Sequence, residues 1–461
     1  MSSLTAASYL PDRMVIILKP EFDAYADIEN PKGFTTPETL GFFFHEWTHY
    51  LHNVSTIQGI SAFANVVRLW SVFRNSIDVN TGLSMGSAAL APYLNLSAKQ
   101  IQRYLLASRA PKSNELPLAV SIDDISFSSV RLRTEKIEGS DFDVTTIVCL
   151  AEIAGGDVPT KEIVLEIGTH EILESLASML ERKIVRAFGG VNIATPIVPY
   201  HLVEILAHFN SPQISDDAII GCMLCSLQSS DPPHILLDAF KCEKVAQEAG
   251  RDPLRELATI SKESLKNTKF WVKETLKQIE DTFPVDEAMG RAVKKIVNTI
   301  RNNLFERQSN PFFEFDILNK VKNNLQYMDE AVRRYGLCTI VQERPGPLDQ
   351  IQRDFMLDIA VFGPVDYAMQ EGWRKMHASF RFVALHSSQD GFMSTETMQR
   401  VKPLNFKMCP FFTACNLSLR KEKPEVCVSA PWKSIDENDL SKGSCYYQAA
   451  MISIGPAPKT E

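Results

Sequence analysis

The sequence has no apolar run that approaches the roughly 18 residues needed by a transmembrane helix. Met1–Leu18 lacks the basic start and the long apolar core of a signal peptide. A basic stripe is also missing, since the net charge is −8 over 461 residues and the lysines from Lys262 to Lys277 alternate with acidic residues. We therefore expect a cytoplasmic protein that binds neither membranes nor nucleic acid. Its nine cysteines should then be reduced thiols or metal ligands rather than disulfides.

The hydrophobicity pattern changes along the chain and predicts an α+β fold. The composition is globular, with 45% hydrophobic and 23% charged residues. β-Branched and partly alternating runs predict strands at Met14–Leu18, Ile125–Leu132, Thr145–Ile153 and Glu162–Ile167. Between Tyr200 and Tyr335 the apolar residues recur with a helical period. The predicted units are a first domain over 1–200, a helical domain over 201–335, a mixed α/β segment over 336–404 and a small Cys-bearing segment over 405–461.

Capping residues mark the start of two predicted helices in the first domain. Thr36 is a favourable N-cap, and the proline that follows it suits the first helical position, so a helix is predicted to about Val54. Thr169 is predicted to cap the second helix, which should end near Phe188. These two helices carry the residues that we expect to perform the chemistry.

Residues 45–49, with the sequence His-Glu-Trp-Thr-His, form the strongest chemical motif in the chain. At about 100° per residue, His45 and His49 lie only about 40° apart around the helix axis, so both imidazoles can reach one metal ion. Glu46 is rotated by about 100° from His45 and flanks such an ion instead of binding it. The pattern predicts a zinc site in which Glu46 accepts a proton from a zinc-bound water. The alternative is a helix with two ordinary core or surface histidines.

The second of these helices offers a third ligand. Its apolar face consists of Ile172, Leu173, Leu176, Met179 and Leu180. His170, Glu174 and Glu181 form a narrow stripe at the edge of that face, where a side chain can reach a neighbouring helix. Glu174 is the first choice as a ligand. His170 and Glu181 are candidates for residues that hydrogen-bond to the metal ligands without binding the metal themselves. Glu171 and Arg182 are expected to point to solvent. A solvated Glu174 on an ordinary amphipathic helix is the alternative.

The two helices together resemble gluzincins, in which a glutamate on a later helix completes the site of the His-Glu-x-x-His helix. Glu174-Ser-Leu-Ala is similar to the Glu-x-x-Ala stretch of that second helix, and His45-Glu-Trp-Thr-His-Tyr-Leu-His is similar to poorly characterised bacterial zincins of the form HEYxHFLQ. The resemblance implies a zincin-like metallopeptidase core over 1–200 with a catalytic Zn2+. The chain departs from thermolysin-like enzymes in two ways, since about 125 residues separate His49 from Glu174 and Ser178 stands where those enzymes often carry Asp.

Three further polar residues near these helices are candidates for a role in the site. Zincins usually stabilise the transition state with a Tyr or His donor. Tyr200 and His201 follow Pro199 at a predicted loop-to-helix boundary and are the candidates; the alternative is that they are ordinary helix-start residues. His52 lies seven residues after His45. We predict that it contacts a metal ligand or faces the substrate, without binding the metal itself.

Cysteines cluster near the C-terminal end of the sequence. They are Cys409, Cys415, Cys427 and Cys445. A small irregular segment with little apolar core often needs a metal to fold, so a structural zinc or an iron–sulfur cluster is one reading, and four free thiols is the other. Cys222-x-x-Cys225 lies in an apolar helical run and is predicted to be core packing.

Function is expected from the His-Glu-x-x-His motif. We predict a zinc-dependent hydrolase, a peptidase acting on a protein or peptide substrate, with the helical domain as a candidate surface for a regulatory protein partner. Two alternatives stay open. One is an interaction or regulatory protein with an inactive zincin-like domain, and the other is a zinc hydrolase that acts on a non-peptide bond.

Overall fold

A computed structural model provides the structure of the protein. It describes residues 7–20, 36–78, 81–114, 116, 120–140, 142–155, 158–284, 289–345, 351–356, 367–412, 415, 417–434 and 445–454. The strands are β1 (Ala7–Leu10), β2 (Val15–Leu18), β3 (Ile125–Lys136), β4 (Asp143–Gly155), β5 (Val158–Ile167), β6 (Thr339–Pro345), β7 (Ile351–Met356), β8 (Ser387–Ser388) and β9 (Gly391–Phe392).

Helices dominate the rest of the described chain. They are α1 (Pro37–Asn53), α2 (Ile57–Arg74), α3 (Pro92–Arg109), α4 (Thr169–Ala187), α5 (Ile197–Tyr200), α6 (Leu202–Asn210), α7 (Asp216–Ser226), α8 (Pro232–Glu248), α9 (Pro253–Thr282), α10 (Gly290–Ser309), α11 (Phe313–Asn323), α12 (Tyr327–Tyr335), α13 (Tyr367–His386), α14 (Thr395–Val401), α15 (Leu404–Lys407), α16 (Ser418–Glu422), α17 (Pro424–Ser429) and α18 (Tyr446–Ile454). None of these described helices combines the length and the apolarity that crossing a bilayer requires.

The strands form two main sheets, so the mixed α and β content agrees with the predicted α+β class. One sheet has the order β1-β2-β6-β7, and the other is an antiparallel sheet of β3, β4 and β5. In the first sheet β2 runs parallel to β6, with Ile16 opposite Ile340. The predicted units 1–200 and 336–404 therefore share one sheet. Local sequence patterns do not reveal such a pairing, because it joins strands more than 300 residues apart.

The helix boundaries follow the capping chemistry with one correction. Thr36 is the N-cap of α1, and its Oγ1 accepts a hydrogen bond of 3.1 Å from the backbone nitrogen of Thr39, as predicted. The N-cap of α4 is Gly168 and not Thr169. The reason is Glu171, whose Oε2 accepts a 2.8 Å bond from the Gly168 nitrogen and so closes the first turn without the threonine hydroxyl.

Helix α1 is the central element of the structure. It packs against α2, α4 and β1, and its side chains are buried on nearly every face. Trp47 and Thr48, two of the three residues between the motif histidines, are fully buried. The Nε1 atom of Trp47 donates a 2.9 Å hydrogen bond to the carbonyl of Gly336, just before β6. This burial fixes the rotation of α1, so one narrow edge of the helix remains for the polar motif.

The C-terminal segment is more regular than expected. Instead of an irregular chain, the described residues form the short helices α15, α16 and α17, and α18 packs along α13. Tyr447 and Trp432 are buried in that contact, so this segment joins the hydrophobic core. Residues 445–454 are apolar at all positions except Gln448 and Ser453, so no helical period in this run indicates which face packs on α13.

Candidate metal centre

The site begins with a close approach of two helices. Gly41 lies one turn before His45 on α1, and a Cβ atom there would come within 2.5 Å of Val185 Cγ2 on α4. Only a residue without a side chain permits this distance. Glu181 also lies against Gly41, so the glycine allows the polar edge of α4 to reach the motif histidines.

His45, His49 and Glu174 converge at this contact. The Oε2 atom of Glu174 lies 3.4 Å from His45 Nε2, and its Oε1 atom lies 3.5 Å from His49 Nε2. All three residues offer ligand atoms within 4.8 Å of one another. Two ligands bound about 2.1 Å from a tetrahedral zinc ion lie about 3.4 Å apart, so these separations suit zinc. Among the described residues, this is the group of three or more His, Cys, Asp or Glu side chains that meets the spacing.

Glu181 completes the environment of His45 on the opposite side of the ring. Its Oε2 atom lies 2.9 Å from His45 Nδ1. A carboxylate at this nitrogen holds the proton on Nδ1, so Nε2, which faces Glu174 and His49, is the nitrogen available to bind a metal ion. The helical stripe that holds Glu174 and Glu181 was recognised in the sequence, and the structure places Glu181 behind His45 as a supporting contact.

The charges of the group depend on one another. Burial disfavours the charged form of His45, but hydrogen bonds to Glu174 and Glu181 prevail and raise the pKa of His45 well above its ordinary value. Burial would likewise raise the pKa of Glu174, but His49 and His45 hold it well below its usual range. The three side chains thus form a compact ionic group in which a carboxylate and two imidazole nitrogens face one point.

Glu46 differs from the other two carboxylates. It lies in the wall of the same cavity but outside the ligand group. Burial raises the pKa of Glu46, and the carboxylates of Glu174 and Glu181 add to that effect, while His45 and His49 oppose it. A buried carboxylate with a raised pKa beside a cluster of metal-type ligands has the position and basicity of a general base.

A cavity of about 330 Å³ opens over the ligand group. Sequence reasoning did not find three of its polar side chains, namely Tyr9, Asn53 and Arg109. The Tyr9 ring stacks on His49 with centroids 6.3 Å apart, and its hydroxyl accepts a 2.8 Å hydrogen bond from Asn53. Tyr9 arrives from β1, so only the tertiary fold brings it here. His170, a candidate from the α4 stripe, also lines this cavity.

The two candidates for transition-state stabilisation separate in the structure. Tyr200 lines the cavity, and its ring centroid lies 6.0 Å from that of His45. His201 is turned away: its Nδ1 lies 2.8 Å from Glu204, and its Nε2 lies 3.0 Å from the hydroxyl of Thr195. Both ring nitrogens of His201 are therefore engaged outside the cavity, which corrects the expectation that it acts beside Tyr200.

His52 belongs to a buried ionic network about two helical turns further along α1 from His45. Its Nε2 atom lies 3.3 Å from Oε1 of Glu314. Arg307 donates to the same Oε1 at 2.5 Å and also to the backbone and hydroxyl oxygens of Ser55, at 2.6 and 2.7 Å. Neither a ligand nor a substrate contact, His52 links the end of the motif helix to α10 and α11.

Two residues of α4 lie in different surroundings from those predicted. Glu171 was expected in solvent but is fully buried, because it accepts hydrogen bonds from Gly168 and from the backbone nitrogen of Lys112 at 2.6 Å. Arg182 donates to Glu204 and is mostly covered. A helical wheel does not show which loops cross above a helix, and both errors have this origin.

The four C-terminal cysteines come together around one small apolar pocket, lined by Cys409, Cys415, Cys427 and Cys445. The backbone nitrogen of Cys409 donates to the carbonyl of Cys427 at 2.8 Å, so the two strands of chain are adjacent. Within the described residues, however, no three of these sulfur atoms meet the 4.8 Å spacing of the His45 group. Cys222 and Cys225 are buried in the core on α7.

Comparison with known proteins adds no further information on this site. No protein-family model, no curated protein and no solved structure matches the chain.

Proposed function

We propose that the protein is a zinc-dependent hydrolase and that its substrates are peptides or proteins. The observation that carries this proposal is the convergence of His45, His49 and Glu174, with the carboxylate of Glu46 in the wall of the same cavity. Catalytic zinc sites use three protein ligands of this kind and keep one position for water or substrate. The donor set and its spacing therefore fit zinc, within a zincin-like core of the gluzincin type.

A zinc ion held by these residues would polarise a substrate carbonyl and lower the pKa of water. The chain supplies the rest of the chemistry. Glu46 accepts the proton of the attacking water and then delivers it to the departing amine. Since burial raises the pKa of Glu46, its carboxylate is a stronger base than an exposed glutamate and a competent acid afterwards.

Two side chains support this step from opposite directions. Glu181 accepts a hydrogen bond from Nδ1 of His45 and so keeps the imidazole in one tautomer and one orientation. Tyr200, which lies beside His45 in the cavity wall, is placed to donate a hydrogen bond to the oxygen on which negative charge develops. Removing a donor of this kind typically costs about a hundredfold or more in rate.

The variant Glu46→Gln tests this proposal. It preserves size and hydrogen bonding but removes the base, so we expect bound zinc to stay at the wild-type level while peptide hydrolysis falls at least about a hundredfold. Glu38→Gln is the matched control, since Glu38 lies on the same helix but binds the backbone of Val191 outside the cavity.

Different outcomes discriminate between the alternatives. Hydrolysis by Glu46→Gln at the wild-type rate would contradict the role of Glu46. A zinc-loaded wild-type protein that cleaves neither peptides, esters nor other amides would indicate an inactive zincin-like domain. Cleavage of esters or non-peptide amides alone would retain the zinc chemistry and change the substrate class.

A further inference from the structure

A second and larger cavity adjoins the candidate metal centre. Its volume is about 510 Å³, compared with about 330 Å³ for the cavity over His45 and His49. Pro11 and Arg109 line both spaces, so the two cavities meet at these residues. A molecule that extended from the metal centre into the second cavity would pass Arg109, which forms an ion pair with Asp12.

The same two helices form a wall of both cavities. On α2, Ala62 lines the metal cavity, and Val66 and Trp70 line the second cavity at intervals of four residues. Helix α3 runs in the opposite direction. Gln102 lines the second cavity, and Arg109, seven residues later, lines both cavities. Side chains four or seven residues apart share one face of a helix. The cavities thus follow one another along a single path between α2 and α3.

The second cavity is mostly apolar. Its apolar lining comprises Val66, Leu69, Trp70, Leu105, Leu106, Phe380, Val383 and Ala384. This lining suits a large aliphatic or aromatic group. Gln102 also faces this space although it is only 3% exposed. The other polar lining residues are Asp12, Arg109, Ser387, Ser388 and Lys402.

Gln102 lacks hydrogen-bond partners. Neither its Oε1 nor its Nε2 atom has one within the part of the chain that the structure describes. An unpaired buried amide is costly, and such groups in folded proteins call for a specific explanation. A peptide group presents one N–H donor and one C=O acceptor. It is therefore complementary to both atoms of the Gln102 amide.

The spacing along α3 relates this amide to the metal centre. Seven residues separate Gln102 from Arg109, and at 1.5 Å per residue this is about 10 Å along the helix. An extended peptide advances about 3.3 Å per residue, so about three residues span the same length. A peptide that reaches from the metal centre past Arg109 to Gln102 would therefore place a side chain three or more residues from the cleaved bond inside the apolar cavity.

We propose that this second cavity binds a large apolar side chain of a peptide substrate, at least three residues from the cleaved bond, and that Gln102 pairs with the adjacent peptide group. The proposal rests on the proposed peptidase function and adds a substrate class to it. Substrates would be peptides with an aromatic or long aliphatic residue at one fixed distance from the cleavage point.

Equilibrium binding tests the proposal without turnover. Fluorescent alanine-based octapeptides, each with one phenylalanine at a different position, are titrated against the zinc-loaded Glu46→Gln protein. The cleaved bond is located in parallel with the wild-type protein. We expect one position of phenylalanine to bind about tenfold to a hundredfold more tightly than alanine, as burial of one aromatic side chain implies.

Two variants assign this preference to the cavity. Leu105→Trp fills the apolar space and should abolish the phenylalanine preference, while Leu96→Trp, at an exposed position of the same helix, should retain it.

Gln102→Ala should weaken binding of the preferred peptide about tenfold. N-methylation of the peptide bond that pairs with Gln102 should weaken its binding to the site with wild-type Gln102 by a similar factor. Gln100→Ala, at a partly exposed position of the same helix that lines neither cavity, is the control for Gln102. Thermal denaturation verifies that every variant is folded.

Equal affinities for all positions of phenylalanine would overturn the proposal, as would a preference that survives Leu105→Trp. Tighter binding of a free fatty acid than of any peptide would overturn the choice of a peptide. These results are distinguishable from failure of the proposed function. Peptide hydrolysis without a positional preference refutes only the cavity, whereas a positional preference without any hydrolysis refutes only the peptidase activity.

Discussion

The Nδ1 atom of His45 lies 2.9 Å from Oε2 of Glu181, on the side of the ring opposite the nitrogen that faces Glu174. Both carboxylates come from α4, two helical turns apart, so one helix supplies a candidate ligand and the group that orients another. A rotation or shift of α4 would disturb both contacts together. This coupling explains why the tight α1–α4 contact at Gly41 matters to the site.

Glu181→Gln should weaken zinc binding without removing it. The amide can still contact Nδ1, but it has no charge to stabilise the polarised imidazole, and loss of such a partner typically costs about 10- to 100-fold in metal affinity. Competition with a chromophoric chelator measures this change. Glu204→Gln, which removes a carboxylate from His201 instead, is the control and should keep wild-type affinity. Unchanged affinity in Glu181→Gln would reduce this contact to a packing role.

Glu174→Ala should have the larger effect. The carboxylate faces both motif histidines, at 3.4 and 3.5 Å, so its loss removes a ligand and leaves two imidazoles. We expect zinc affinity to fall by more than about a hundredfold, beyond the loss in Glu181→Gln. The same competition assay, with metal content after dialysis, checks the order. A Glu174→Ala protein that retains full zinc occupancy and affinity would exclude Glu174 from the ligand set.

The motif helix and the α4 stripe were accessible from sequence because both depend on local period. Thr36 and the spacing of His45 and His49 determine a helix and its polar edge, and the positions of Glu174 and Glu181 follow from the same geometry. Tyr9, by contrast, reaches His49 only because β1 pairs with β2 and lies against α1. No local pattern contains that information.

Buried polar contacts limited the sequence analysis in the same way. The fully buried Arg307 and its partner Glu314 are only seven residues apart in sequence, but nothing in their helical periods indicates that Ser55 and His52 will meet them. Gln102 likewise reads as an ordinary polar residue on an amphipathic helix. Its burial depends on helices and loops from three distant parts of the chain.

Glu314→Gln should destabilise the fold strongly. The variant leaves Arg307 charged and fully buried without a counter-ion, and breaking a buried pair in this way costs about 3–5 kcal/mol. Glu280→Gln removes a similarly short but more exposed contact with Arg301, at 2.7 Å, and should cost less than about 1 kcal/mol. Urea denaturation of both variants gives the comparison. Similar losses of unfolding free energy in the two variants would show that burial does not increase the contribution of the Arg307–Glu314 pair.

The same network should make the stability of the fold depend on pH in the acidic range. Burial alone would raise the pKa of Glu314, but Arg307 and His52 lower it from 4.5 to about 2. Because the folded pKa is below the unfolded value, the contribution of Glu314 is complete above about pH 4.5 and is lost as the pH falls toward 2. The stability difference between wild type and Glu314→Gln should therefore shrink over this interval. A difference that stays constant from pH 6 to pH 2 would contradict this linkage.

The C-terminal cysteines should hold a metal independently of the His45 site. Cys409, Cys415, Cys427 and Cys445 line one pocket, although their sulfur atoms are not yet at ligand spacing. Burial raises the pKa of the Cys427 thiol to about 11, and Cys445 and Cys415 add to this effect. A bound cation would reverse that preference by stabilising thiolates.

The double variant His45→Ala/His49→Ala tests this last prediction. It should retain bound metal, either zinc or an iron–sulfur cluster, and absorbance bands in the visible range would identify the latter. The four thiols should resist thiol reagents until a chelator is added, because coordinated thiolates are shielded. Cys242 is partly exposed and outside the cluster, so it provides an internal reference that reacts in both states. A folded, metal-free double variant in which all four thiols react as readily as Cys242 would establish that these cysteines are free thiols.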